Sequence, residues 1–247
     1  MGRWSFLPRT TAWVVRLLHP SFMAFTKRDW RGVEKLPRDG GYVLAPNHLS
    51  HLDPLFLSHF MVDHGVTPRF LTKDTLMTIK GVGRILRGAE MIPVYRATKG
   101  AADSLKAANE AVMSGQVVTI YPEGTLTRDP DGWPMSGRTG AVRVALATGR
   151  PVVPVAQWGP QAILWPYTKV PKIFPRKTMH VHVGDPLDLS DLEGRELTDE
   201  VLNAATDRLM DTLTAMLSEI RGELPTRPRV DVRTLGKPKS NYDELES

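Results

Sequence analysis

Three short apolar runs constrain this chain more than anything else in its sequence. Residues 42–45 run into Pro46-Asn47-His48, residues 117–120 into Tyr121-Pro122-Glu123-Gly124, and residues 152–156 into Gln157-Trp158-Gly159. Each is too short for a helix, and each stops at a turn. Branched apolar runs of this length read as buried strands. Between and after them the period changes. Residues 54–65 read as a helix that Asp53 can cap, with Pro54 at its first position and Gly65 behind it. Leu105, Ala108 and Val112 share one helical face that ends at Gly115. Residues 140–149 read as a third helix. A stripe of Val201, Ala205, Leu209, Leu213, Leu217 and Ile220 marks a long one, capped by Thr198. Residues 68–73 and the alternating stretch "TMHVHVGDPL" add two strands, and Pro154 places its strand at an edge or a bulge. Strands alternating with helices predict an α/β fold, a single-domain mixed, largely parallel sheet flanked by helices.

No Pro/Gly/Ser linker divides the 247 residues, so one domain is expected, spanning residues 33–222. Residues 1–32 form a separate N-terminal element. Trp4, Phe6, Trp13, Phe22, Phe25 and Trp30 alternate there with Arg3, Arg9, Arg16, Lys27, Arg28 and Arg31. Arg16 interrupts its apolar run and His19-Pro20 is expected to break it, so it does not read as a spanning helix. Rings mixed with cations suit the lipid headgroup layer, and packing on the protein's own core is the alternative. Residues 223–247 are Pro-rich and charged and are expected to lie extended or loosely packed. The net charge of +5 favours anionic partners. The basic, aromatic stretch 165–177, with Lys169, Lys172, Arg176 and Lys177, could touch headgroups or nucleic acid. No nucleic-acid recognition pattern accompanies it. Cysteine is absent, which excludes disulfides, thiolate nucleophiles and Cys-rich zinc sites.

The chemistry concentrates in "APNHLSHLDP". Within one regular helix His48 and Asp53 would stand about 140° apart. With His48 before the helix and Asp53 at its start, a tight turn can fold the carboxylate back onto the imidazole. That fixes the tautomer and leaves the other ring nitrogen free to accept a proton. Two other readings stay open. Asp53 can be a helix cap and nothing more. Alternatively His48, His51 and Asp53 can hold a metal, with His180 and His182 as further ligands. No G-x-S-x-G occurs, so the nucleophile that such a base activates would be a substrate hydroxyl or water.

"YPEGTLTRD" is the second constellation. Gly124 permits a positive φ and close backbone approach, Thr125 and turn amides can hold an oxyanion, and Arg128 is one short reach away. Lys73 and Arg96 stand at predicted strand ends, with Lys99 close by in sequence, where open α/β sheets bind anions. A solvated turn and solvated surface cations are the alternatives.

Together these motifs resemble the glycerolipid acyltransferases of the lysophosphatidic acid acyltransferase (PlsC-like) family. "NHLSHLD" matches its N-H-x4-D block, and "MIPVYR" looks like the second block. "YPEGTLTRD" is similar to F-P-E-G-T-R-S, and "VVPVA" matches a fourth, V-P-V-type strand. The resemblance implies transfer of a fatty acyl group from acyl-CoA or acyl carrier protein to a hydroxyl. The leading acceptor is 1-acylglycerol-3-phosphate or a related lysophospholipid or glycerol phosphate. His48 would be the general base and Asp53 its orienting partner. Glu123, Gly124 and Thr125 would position the acceptor, with Lys73 and Arg96 as phosphate contacts. The resemblance further implies no metal and no cofactor beyond the acyl carrier. It implies monotopic attachment to the cytoplasmic face of a membrane, through the N-terminal helical element. One departure stands out. The family's arginine after E-G-T is Leu126 here, and Arg128 or Arg138 would have to substitute for it. The alternatives in function are acylation of a sugar hydroxyl on a phosphoglycolipid, thioester hydrolysis, and a non-catalytic lipid-binding protein.

Overall fold

A computed structural model of the chain describes residues 4–94, 98–166, 168, 170–231 and 234, with the side chains of residues 98, 99 and 101 outside the description. The elements run α1 (Arg9–Phe25), β1 (Thr26–Arg31), β2 (Tyr42–Pro46), α2 (Asp53–Asp63), β3 (Leu71–Lys73), α3 (Asp74–Thr78), α4 (Val82–Gly88) and β4 (Ile92–Val94). There follow α5 (Thr98–Met113), β5 (Val117–Thr119), α6 (Gly140–Thr148), β6 (Val152–Trp158), α7 (Pro160–Ile163), β7 (Lys177–Val183) and α8 (Asp199–Arg221). The main sheet has the order β1-β7-β6-β2-β5, antiparallel at β6–β7 and parallel at its other three pairings. A parallel pair, β3–β4, continues it through a bridge from Phe70 to Thr119. The mixed, largely parallel α/β architecture agrees with the sequence.

Alternation along β2 assigns the two faces. Val43 and Ala45 pack with Val118, Val152, Ala108, Val112, Val142, Leu209 and Leu213, under α5, α6 and α8. Tyr42 and Leu44 pack with Val153, Val155, Leu57, Phe60 and Met61, under α2. Both faces are covered, which is why these strands are apolar nearly throughout.

The direction of the strands brings the chemistry to one end. β2, β5 and β3 run the same way, so Asn47-His48, Tyr121–Gly124 and Lys73 all follow strand ends on the same side. β1 and β7 run oppositely, so the end of α1 and the segment before Lys177 reach that side too.

Two expectations are corrected. Pro154 does not mark an edge: β6 lies between β7 and β2. The proline is tolerated because β7 pairs with β6 only from Val155 onward, and the Pro154 carbonyl accepts from Gly184 N at 2.9 Å. Nor does His19-Pro20 break α1, which continues to Phe25. Arg16 and Pro20 both lie on the exposed face, so the carbonyl that Pro20 deprives of a donor can be solvated. Residues 223–231 carry no helix or strand, as expected of an extended tail, and they are tied to the domain. Ser136 N donates to Val230 O at 2.8 Å, Ser136 Oγ pairs with Asp231 Oδ1 at 2.8 Å, and Arg229 pairs with Asp211 at 2.5 Å.

Candidate active site

β2 ends at Pro46, and the side chain of Asn47 carries its hydrogen-bond ladder one step further. Asn47 Oδ1 accepts from Gln157 N at 2.7 Å and Nδ2 donates to Gln157 O at 3.1 Å. Gln157 Nε2 donates back to Asn47 O at 3.3 Å. His48 therefore leaves a clamped strand end.

His48 Nδ1 lies 3.0 Å from Asp53 Oδ2, the contact that a tight turn before α2 allows. The same oxygen accepts from Leu49 N at 2.5 Å and Ser50 N at 2.7 Å. Asp53 is thus the first residue of α2, and its carboxylate serves the preceding loop. The capping expectation is corrected: the N-cap is Leu52, which makes no side-chain cap. Three hydrogen bonds thus converge on one carboxylate oxygen. The Asp53 side chain is fully buried, whereas His48 retains 17% exposure. The pair can therefore present a ring nitrogen to a ligand while its acid stays dry. Tyr121 closes the other side of the imidazole, its ring stacked at 4.1 Å and 27°. Burial pushes the Tyr121 phenol well above its ordinary value, so the ring stays neutral.

Glu123 faces inward. It is fully buried, with Oε1 accepting from His48 N at 2.8 Å and Oε2 from Met135 N at 3.1 Å. Burial pushes its pKa up to about 8, against the lowering effect of those two amides. Both oxygens hold backbone amides, so Glu123 builds the turn that carries His48. Thr127 N donates to His48 O at 2.8 Å, a further tie between the two motifs. Gly124 has φ +68°, and Arg138 lies against it: Arg138 Cδ and Nε are each 3.0 Å from where a Cβ would stand. Thr125 is half-buried on the same turn.

Leu126 is 4% exposed and belongs to the core, so the position that departs from the family pattern points away from solvent. Arg138 is exposed, and its backbone amide donates to Pro122 O at 2.7 Å. Arg128 is half-buried beside a cavity of about 210 Å³, lined also by Leu49, Thr127, Asp129, Gln161 and Trp165. Lys73 is exposed at the end of β3. Arg96 lies outside the described residues, as does the side chain of Lys99.

His51 lies at the surface, and partial desolvation of its ring together with the neighbouring His48 lowers its pKa. The metal set considered from sequence is not assembled. His180 Nδ1 and His182 Nε2 bond Asp29 Oδ2 at 2.8 and 3.0 Å instead. Among the described residues two His/Asp clusters could hold an ion, Asp29-His180-His182 and His19-His59-Asp63, and neither includes His48 or His51.

Sequence reasoning missed Asn47's pairing with Gln157, the stack of Tyr121, and Met135. Gln157 carried a signal, being polar in an otherwise apolar strand. Met135 carried none, because only its backbone amide takes part.

The chain is similar to several known proteins. The profile of the family described as "Acyltransferase" matches residues 27–158. A 1-acyl-sn-glycerol-3-phosphate acyltransferase of Bacillus subtilis (strain 168) is 27% identical over 181 residues, 72% of this chain and 84% of that protein. The chloroplastic 1-acyl-sn-glycerol-3-phosphate acyltransferase BAT2 of Brassica napus is 32% identical over 146 residues, 58% of this chain and 41% of that protein. The crystal structure of the 1-acyl-sn-glycerophosphate acyltransferase PlsC from Thermotoga maritima shares the fold. Its TM-score is 0.66 at 22% identity, over 87% of this chain and 81% of that one.

Proposed function

Because the chain belongs to the acyltransferase family, we propose that it moves a fatty acyl group from a thioester carrier to the free hydroxyl of 1-acylglycerol-3-phosphate. The carrier is acyl-CoA or acyl carrier protein. One observation carries the reading: His48 Nδ1 is held at 3.0 Å by Asp53 Oδ2 while the imidazole keeps access to solvent. The printed names of the relatives support the acceptor.

In this mechanism Asp53 fixes the proton on Nδ1, so Nε2 is the base. The acceptor hydroxyl gives its proton to Nε2 as its oxygen attacks the thioester carbonyl. A C–O bond forms, and collapse of the tetrahedral intermediate breaks the C–S bond. The departing thiolate takes the proton back from the imidazolium, which Asp53 stabilises without becoming protonated. Glu123 and Thr127 hold the His48 backbone in place. Gly124 and Thr125 position the acceptor, and Lys73, Arg96, Arg128 and Arg138 are the cations offered to its phosphate. No metal takes part.

Attachment to the membrane is peripheral, at the cytoplasmic face. Among the described residues no helix is long and apolar enough to cross a membrane. The exposed face of α1 instead shows Trp13 and Leu17 beside Arg9 and Arg16. The burial of Leu126 favours one second reading, an acceptor that presents its phosphate differently, such as a sugar hydroxyl on a phosphoglycolipid.

The test is transfer of a labelled acyl group from acyl-CoA by the purified chain to a panel of lyso-acceptors. Labelled phosphatidic acid is the expected product. Free fatty acid alone would mean hydrolysis, and transfer only to glycolipid would establish the second reading.

A further inference from the structure

The segment from Lys73 to Gly88 crosses from β3 to β4 as two short helices, and of its residues only Gly83 is buried. Four aliphatic side chains are turned outward: Leu76 is 41% exposed, Ile79 48%, Val82 43% and Ile85 40%. Their burial would ordinarily hold a helical hairpin together. Here backbone contacts do that instead. Gly83 packs against Met77 O too closely to admit a Cβ, and Arg87 Nη1 donates to the same carbonyl at 2.7 Å. Gly88 likewise admits Thr10 of α1 against its Cα, so α4 rests on α1. The shape of the hairpin is thus fixed while its aliphatic surface stays uncovered.

Charge indicates what covers it. Four cations, Lys73, Lys80, Arg84 and Arg87, stand against the single carboxylate of Asp74 in this segment. Lys80 and Arg84 are exposed beside Ile79, Val82 and Ile85. Aliphatic tips among basic side chains match the boundary between acyl chains and anionic headgroups. The hairpin also starts at the His48 end of the sheet. Phe70, next to β3, stacks on Tyr121 at 6.3 Å, and Tyr121 stacks on His48. On its other side the hairpin is continuous with α1, where Trp13 is 59% and Leu17 60% exposed.

We propose that the α3–α4 hairpin is a second lipid-inserting element, distinct from α1, which sets Leu76, Ile79, Val82 and Ile85 into an anionic bilayer surface beside the catalytic end of the sheet. This inference rests on the reading above that the acceptor is a membrane lipid. It adds where the bilayer meets the enzyme and which residues enter it.

The experiment is co-sedimentation of the full chain with phosphatidylcholine vesicles, with and without phosphatidylglycerol. It is run for wild type, I79E/V82E, K80E/R84E and, for α1, W13E/L17E. Wild type is expected to bind the anionic vesicles. I79E/V82E should weaken that binding about tenfold or more. K80E/R84E should cost about fivefold per cation, and only on anionic vesicles. Both variants should keep wild-type turnover of a short-chain lyso-acceptor presented as monomer, which also shows that they fold. Vesicle binding within about twofold of wild type for both hairpin variants would overturn the proposal, as would loss confined to W13E/L17E. A wild-type dimer in light scattering that I79E/V82E converts to monomer would assign the hairpin to a second copy and overturn it equally. Because sedimentation needs no turnover, a chain that binds vesicles through the hairpin yet transfers no acyl group would refute the acyltransferase reading alone.

Discussion

The imidazole of His48 lies against the ring of Tyr121, centres 4.1 Å apart and planes 27° from parallel, while its Nδ1 faces Asp53 Oδ2. The ring is held in its plane on one side and by its edge on another. Tyr121→Phe keeps the stack and should keep kcat within about threefold, because aromatic pairs are worth only about 0.5–1.5 kcal/mol beyond burial. Tyr121→Leu should lower kcat about tenfold or more with KM for the acceptor unchanged, since it frees the base rather than removing a contact to substrate. A change in KM alone would contradict this positioning role.

Removing the base itself should be far more costly. His48→Ala is expected to lower kcat by about a hundredfold to ten-thousandfold with little loss of melting temperature. Asp53→Asn keeps an acceptor for Leu49 N and Ser50 N but loses the charge that stabilises the imidazolium, so kcat should fall by a similar factor. Asp53→Ala also leaves two buried amides unpaired and should destabilise the fold by about 2–5 kcal/mol in urea titrations. His51→Ala should stay near wild type in both measurements.

Arg138 lies across Gly124, and Leu126 is turned into the core. Arg138→Gln should therefore raise KM for a phosphate-bearing acceptor about tenfold, the scale of one charged hydrogen bond, at unchanged kcat. An acceptor without phosphate should not register the change. Steady-state kinetics on the two acceptors measures both.

Glu123 gives a pH signature. Its pKa is raised from 4.5 to about 8 by burial, so between those values the folded state binds more protons than the unfolded one. Stability from this group is complete below about pH 4.5 and declines as pH rises towards about 8. Across that window wild type should lose up to about 1.4 kcal/mol per pH unit relative to Glu123→Gln. Urea denaturation of both proteins at several pH values reads the slope. A flat difference across the window would show the carboxyl ionised throughout.

The layered α/β fold was legible because its strands are short, apolar and closed by turns. The His48–Asp53 pair was legible because it lies within six residues of chain. Contacts made across the sheet were not, as with Asn47 and Gln157, 110 positions apart. Glu123 was expected on the acceptor, but nothing in "YPEGT" shows that two backbone amides would claim its oxygens. The α3–α4 hairpin escaped notice because its aliphatic residues face outward and leave no buried stripe to find. Pro20 and Pro154 misled for a common reason. A missing amide matters only where a neighbour needs it, and neighbours are a property of the fold.

Asn47 supplies with its side chain the hydrogen bonds that a further residue of β2 would have made to β6. The sheet and the His48 turn therefore have no seam between them, and an opening motion at His48 has to unzip Gln157 as well. Amide exchange at Gln157 should be as slow as in the middle of β6. The flexibility that substrate entry requires must then come from the far rim of the site, and the turn that carries His48 stays still.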